Sequence, residues 1–277
     1  MIAIEDGSTI EDLLRESGLP RHEAEILLRS ALGCERVYLI AHAEDAVESA
    51  NARAAQDGFA RRRAGEPLSY ITGWREFYGL MLRVTPDVLI PRAETEQLVD
   101  LALEHVPLGS SARVLELGTG SGAIAVALAS LRPEWRITAT DVSEKALDVA
   151  RRNSREHAVE IDFAQSDWFE SIAPDQFDLI ISNSPYVAAG DPHLERGDVR
   201  FEPRLALVGG DDGLACIRRI AARAPQSLRV GGSLLLEHGY EQGESCFELL
   251  RELGYTEVAD FRDLAGLPRV AAAAWRG

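Results

Sequence analysis

The chain has 277 residues, 46% of them hydrophobic, enough for one large domain or two smaller ones with a substantial core. Its 29 Lys and Arg stand against 45 Asp and Glu, and the formal charge of −16 disfavours the broad phosphate-neutralising surface that drives non-specific nucleic-acid binding. Three separated cysteines, no basic apolar leader and no apolar run near the ~18 residues of a membrane span argue against a disulfide framework, export and membrane insertion, and predict a cytoplasmic protein.

The first stretch reads as helical. Ser8 and Glu11 have the spacing of a capping box, and Ile10, Leu13 and Leu14 recur at helical spacing before Gly18 and Pro20 stop the run. A second helix is predicted over 21–31, with Ala24, Leu27, Leu28 and Ala31 on one face and Gly33 as its C-terminal stop. Further helical segments are predicted over 37–42 and 48–64. No catalytic constellation lies here, so a small helical bundle that positions a partner is the expectation for residues 1–74. Gly73, Gly79, Pro86 and Pro91 then punctuate β-prone stretches at 76–78 and 81–84, which predicts a hairpin connector over 75–93.

From residue 94 to 277 strand and helix patterns alternate, the mark of a mostly parallel sheet. A helix over 94–105 precedes strand 113–117; helix 123–131, strand 136–140, a helix opened by Ser143, strand 160–164 and strand 177–182 follow. A helix over 214–228 leads to strand 233–237, and a helix over 244–253 to strands 256–261 and 270–275, whose short connection predicts an antiparallel pair. The expected fold is α/β, with seven strands.

Val114-Leu115-Glu116-Leu117 runs into Gly118-Thr119-Gly120-Ser121-Gly122 and then a helix, a turn in which missing Cβ atoms let a ligand approach the backbone. The glycine pattern alone also suits dinucleotide dehydrogenases. Asp141 ends the next strand, where a carboxylate can accept from both hydroxyls of a ribose. Asp167 and Trp168 follow the third strand; the acid suits an adenine amino group and the indole a ring plane. Asn183-Ser184-Pro185-Tyr186 directly follows strand 177–182. The Asn oxygen and the next carbonyl can both accept from one planar NH2 group and fix its nitrogen without deprotonating it. A strand-end Asn that grips an NH2 serves methyl transfer and has no use in hydride transfer, so S-adenosyl-L-methionine is the cofactor predicted, with S-adenosyl-L-homocysteine as product. No metal is required by this chemistry, and the six histidines show no metal-ligand spacing.

With these elements in order, the chain resembles the protein-(glutamine-N5) methyltransferases of the HemK/PrmC type, over nearly its whole length. The resemblance is carried by Gly65-Glu66-Pro67, Tyr70-Ile71-Thr72-Gly73, Arg75-Glu76-Phe77, Leu89-Ile90-Pro91-Arg92 with Glu94-Thr95-Glu96, and Leu115 to Ala125. Gln165 to Phe169, Gly197 to Pro203 and Glu237-His238-Gly239 extend it. It implies a Rossmann-like class I methyltransferase domain behind a small helical domain, acting on the glutamine of the Gly-Gly-Gln motif of peptide chain release factors during translation termination. It further implies that Gly118, Thr119, Gly120, Ser121 and Gly122 contact the methionine part of the cofactor, Asp141 the ribose, and Asp167 and Trp168 the adenine. Asn183, which also borders the cofactor, and the carbonyl of Ser184 hold the glutamine amide, Pro185 shapes the turn, and Tyr186 packs beside the glutamine side chain. The expected partners are release factors, without direct nucleic-acid binding or a membrane, and a monomer.

One position departs from the family's Asn-Pro-Pro-Tyr: Ser184 stands where the first proline does, keeping the carbonyl but adding an N–H and a hydroxyl that need partners. Two alternatives remain at this level: an adenine-N6 DNA methyltransferase, which can use the same kind of tetrapeptide, and a catalytically weakened cofactor-binding adaptor. Arg61-Arg62-Arg63 is expected to complement a helix end or face solvent. Within Asp198 to Glu202, Arg200 and Glu202 are expected to pair in a loop that closes the acceptor site, and His238 to hydrogen-bond structurally.

Overall fold

A computed structural model describes residues 7–172 and 176–277. They form two compact units, one made of residues 7–74 with 196–201 and the other of 75–195 with 202–277.

The smaller unit carries helices α1 (Ile10–Glu16), α2 (Arg21–Leu32), α3 (Arg36–Ala41), α4 (Ser49–Arg63) and α5 (Leu68–Thr72). Its core joins Ile10, Leu13 and Leu14 to Leu27, Leu28, Ala55 and Phe59. The capping box lies one residue later than the spacing predicted: Thr9 accepts from the Asp12 N–H at 3.1 Å, and the Asp12 carboxylate accepts from the Thr9 N–H at 3.2 Å. Glu11 is instead drawn away by Arg21, both of its oxygens accepting at 2.8 Å. Gly33 caps α2 in the left-handed region at φ 63°. The three arginines ending α4 all have local partners. Arg61 pairs with Glu66, Arg62 with Glu23 and Asp198, and Arg63 donates to the Ser17 carbonyl. The predicted Arg200–Glu202 pair does not form, because Arg200 donates to the Ala64 carbonyl at 3.0 Å. Helix α5 went unread in the sequence, being a single turn or so between Pro67 and Gly73.

The chain then forms a hairpin of β1 (Trp74–Phe77) and β2 (Leu80–Arg83), and the larger unit goes on with a 3-10 turn (Ala93–Thr95) running into α6 (Glu96–His105). It continues through β3 (Arg113–Leu117), α7 (Ala123–Leu131), β4 (Arg136–Asp141), α8 (Glu144–Glu156), β5 (Asp162–Gln165) and β6 (Phe177–Ser182). After α9 (Arg204–Leu207) come α10 (Ala215–Arg223), β7 (Leu228–Glu237), α11 (Gly243–Glu252), β8 (Thr256–Arg262) and β9 (Pro268–Ala274). Helix α10 is shorter than its apolar pattern predicted, since Pro225 cannot donate and tightens the chain into a 3-10 turn; Leu228 already belongs to β7.

The sheet order is β5-β4-β3-β6-β7-β9-β8. The first five are parallel, and β9 runs antiparallel between β7 and β8. Alternate residues of each strand face opposite layers. Val114, Leu179 and Ile181 pack with α6 and α7, whereas Leu115, Leu117 and Ile180 pack with α10 and α11. Burial on both faces makes these strands almost uninterrupted apolar runs, so Glu116 and Glu237 stand out as acids within them, 2% and 1% exposed. Strand order reverses at β3, which has β4 on one side and β6 on the other; the carboxyl ends of these strands border the crevice where such sheets bind ligands.

Candidate active site

A cavity of about 490 Å³ opens at those strand ends. Of the residues singled out in the sequence, Gly118, Thr119, Gly120, Ser121, Asp141, Asp167, Trp168, Asn183 and Pro185 line it. Their convergence follows from the parallel ladder, which brings the residues after β3, β4, β5 and β6 to one edge. Two bonds lock the loop: the N–H groups of Gly118 and Thr119 donate to the Thr140 carbonyl at 2.9 and 2.8 Å. The Ser182 hydroxyl donates to the Leu117 carbonyl at 2.7 Å and fastens the end of β6 beside it.

Asp141 accepts from the Gly120 N–H through one oxygen and from the Ser143 N–H through the other, both at 2.9 Å. Burial raises its pKa, and these backbone donors oppose the rise. Glu116 lies beneath the loop, one oxygen accepting from the Thr119 hydroxyl at 2.7 Å and the Ala125 N–H at 3.1 Å. Burial pushes its carboxyl up to about 8. Trp168 adopts the left-handed region at φ 54°, a costly conformation for a large residue, and its ring lies over Gly118. A Cβ at Gly118 would stand 3.6 Å from that ring. The Asp167 carboxylate is gripped by Arg219 at 2.9 Å.

Three of the predicted residues do not line the cavity. Gly122 faces α8: a Cβ there would come within 3.0 Å of the Ala150 Cβ, so the glycine is spent on helix packing. Ser184 is 1% exposed, and its hydroxyl has no hydrogen-bond partner among the described residues. Tyr186 turns away to donate to a Glu237 oxygen at 3.3 Å. Burial raises its pKa strongly, helped by the Glu237 charge. The backbone of this stretch is clamped by a glycine-bearing loop. The Val187 N–H donates to the Leu207 carbonyl, the Gly209 N–H to the Val187 carbonyl, and a Cβ at Gly213 would strike the Tyr186 carbonyl at 2.2 Å.

Asn183 directs its NH2 group to the Thr95 hydroxyl at 3.0 Å, and no protein group among those described occupies its side-chain oxygen. Arg92, also at the cavity, pairs at 2.5 Å with Glu202, whose side chain is fully buried; this is the partner that Arg200 was expected to be. Thr95, Glu116 and Glu237 are not among the site residues predicted from the sequence. The two acids carried a usable signal, since each interrupts an apolar run. His238 is fully buried, one ring nitrogen 2.9 Å from the Gly239 carbonyl and the other 3.2 Å from Asp260, a structural arrangement. Among the described residues no group of His, Cys, Asp and Glu could hold a metal ion, and no helix is long and apolar enough to cross a membrane.

The sheet order, the glycine loop after β3, the acid ending β4 and the antiparallel β9 define a Rossmann-like methyltransferase domain. Comparison with known proteins agrees: the family model for the methyltransferase small domain matches residues 93–196, and that for the PrmC N-terminal domain matches residues 8–73. A release factor glutamine methyltransferase of Bordetella pertussis is 48% identical over 95% of this chain and 97% of its own length. One of Salmonella typhimurium is 46% identical over 93% of each. A methyltransferase from Pyrococcus furiosus shares the fold, with a TM-score of 0.55 and 22% identity over 79% of this chain and 97% of that one. The chain belongs to the release factor glutamine methyltransferase family.

Proposed function

We propose that this protein transfers a methyl group from S-adenosyl-L-methionine to the side-chain amide nitrogen, N5, of the Gly-Gly-Gln glutamine in peptide chain release factors. The observation that carries the reading is Asn183: its NH2 is engaged by Thr95 and its oxygen is available at the wall of a cavity that also holds the glycine loop and Asp141. An available amide oxygen there suits an NH2 group on the acceptor.

The cavity fits the cofactor in size and in charge. About 490 Å³ lies within the range of small-molecule sites. Glu116 and Asp141 line the cavity, and their carboxyl groups, when ionised, favour a ligand that brings positive charge. When bound, S-adenosyl-L-methionine supplies a sulfonium-borne methyl group and leaves as S-adenosyl-L-homocysteine. On this reading the backbone of Gly118 to Ser121 receives the methionine part, and Asp141, already aligned by two N–H groups, accepts from the ribose hydroxyls. Trp168 offers a ring face for adenine, with Asp167 beside it. Asn183 and the Ser184 carbonyl hold the glutamine NH2, Pro185 shapes the turn, and Tyr186 supports the acceptor pocket from behind. No strong base is needed, because the amide proton becomes acidic and leaves as the C–N bond forms.

The helical unit, residues 7–74 with 196–201, positions the release factor. The protein acts as a cytoplasmic monomer and does not bind nucleic acid directly, in keeping with its charge of −16. The test is incubation with labelled S-adenosyl-L-methionine and either a release factor or duplex DNA, followed by peptide mass mapping. Label on the glutamine is the expected result; label in DNA, with none on the glutamine, would overturn the proposal.

A further inference from the structure

We infer that Gln242 is a positioning residue, which fixes the backbone of Asn183-Ser184-Pro185-Tyr186 by holding the Tyr186 carbonyl. The inference rests on the proposed glutamine methylation. None of Glu237, His238, Gly239 and Gln242 lines the cavity, so this segment can reach the site only through a neighbour. That neighbour is Tyr186, which the segment holds at two points. The Tyr186 hydroxyl donates to a Glu237 oxygen at 3.3 Å, and the Tyr186 carbonyl accepts from the Gln242 NH2 group at 3.0 Å.

The partners of the Gln242 amide fix its orientation, because each is a backbone group with a single role. Its oxygen accepts from the Gly239 N–H at 2.8 Å, and an N–H can only donate. Its nitrogen meets the Tyr186 carbonyl at 3.0 Å and the Asp212 carbonyl at 3.5 Å, and a carbonyl can only accept. The Gln242 N–H also donates to the Gly239 carbonyl at 2.8 Å, closing a turn just before α11. The packing here is tight: a Cβ at Gly239 would stand 3.2 Å from the Gln242 oxygen and 3.6 Å from the Tyr186 ring. Gly209 and Gly213 press on the same backbone, where a Cβ would stand 2.3 Å from the Pro185 carbonyl and 2.2 Å from that of Tyr186. The path from Gln242 to the acceptor is short and stiff. The Pro185 ring fixes its φ, so the orientation of the Tyr186 peptide group constrains that of the Ser184 carbonyl two residues earlier. On the proposed reading that carbonyl, with the Asn183 oxygen, holds the glutamine NH2.

Two substitutions separate a clamp on the tetrapeptide from a mere brace for the turn. Gln242→Glu keeps the shape and the acceptor for the Gly239 N–H but sets an oxygen against the Tyr186 carbonyl, whereas Gln242→Met loses both contacts. A brace for the turn alone would tolerate the glutamate; a clamp on Tyr186 would not. The assay is run at about pH 8, well above the ordinary glutamate value of about 4.3. We expect both variants to lower kcat on a release factor by about 10–100-fold, the effect of a misplaced acceptor, with the S-adenosyl-L-homocysteine dissociation constant changed by less than about 3-fold. The inference is overturned if Gln242→Glu turns over within about 2-fold of the parent, or if cofactor-product affinity falls as far as kcat does. Should Gln242→Glu fail to fold, Gln242→Met decides alone on the same two readouts. A parent protein that never labels the release factor would instead sink the glutamine reading, and this inference with it.

Discussion

The two ends of the cavity are held in different ways. At the glycine loop, Asp141 and Glu116 are aligned chiefly by backbone N–H groups, those of Gly120, Ser143 and Ala125. At the Asn183 end, an amide and a phenol are held by side chains from Thr95 and Glu237, 88 and 51 residues away in the sequence. Backbone donors come with the strand and turn whatever the neighbouring side chains are. A site held by side-chain hydroxyls depends on each of them. Damage at the first end should therefore appear as weak binding, and damage at the second as slow turnover.

The sharpest way to break this contrast is Asn183→Ala. It should lower turnover by about 10³-fold or more while leaving S-adenosyl-L-homocysteine affinity within about an order of magnitude, since its bonds go to the acceptor. Steady-state kinetics with calorimetry would show it, and near-normal turnover would contradict the assignment.

The buried acids on both sides should make the cofactor-free protein less stable as pH rises. Glu116 is raised to about 8 and Glu237 to about 7, both by burial, from an ordinary value of 4.5. Between that value and the folded one the unfolded chain releases the proton first, so stability present below about 4.5 is lost as pH climbs towards 8. The total is on the order of a few kcal/mol. Thermal melts from pH 5 to 8 should show a falling Tm and a shallower fall in Glu116→Gln. The carboxylates held low by arginines, such as Glu23 and Glu25, act below that window.

Asp141→Ala removes the acceptor for two backbone N–H groups as well as the proposed ribose contact. Cofactor affinity should weaken by about 10–100-fold, with turnover at saturating cofactor little changed. A loss confined to kcat would erase the distinction between the two ends. The smallest effect is expected at Ser184, whose buried hydroxyl has no partner. Ser184→Ala should stabilise the protein by about 1 kcal/mol in chemical denaturation. Ser184→Pro should preserve or raise turnover; a marked loss would give Ser184 a role of its own.

Much of the fold was legible because its signals are local. Strand Arg113–Leu117, helix Ala123–Leu131 and strand Phe177–Ser182 have the bounds that their apolar runs and glycines predicted. Misreadings arose where a local rule met a competitor: Arg21 draws off Glu11 and shifts the cap to Thr9, and Pro225 cuts α10 short. That Gly118 to Ser121, Asp141 and Asn183 border one cavity could be read because residues following parallel strands meet at one edge by the geometry of the ladder. That Gly122 serves helix packing, that Arg92 and not Arg200 pairs with Glu202, and that Thr95 and Glu237 stand behind the tetrapeptide could not be read. The sequence by itself determined the order of elements, the α/β class and the family, all written in short-range patterns of apolar residues, glycines and motif spacing. Tertiary structure alone decided that Asn183 meets Thr95 and Tyr186 meets Glu237, because those partners are 88 and 51 residues apart and come together only once the sheet has closed.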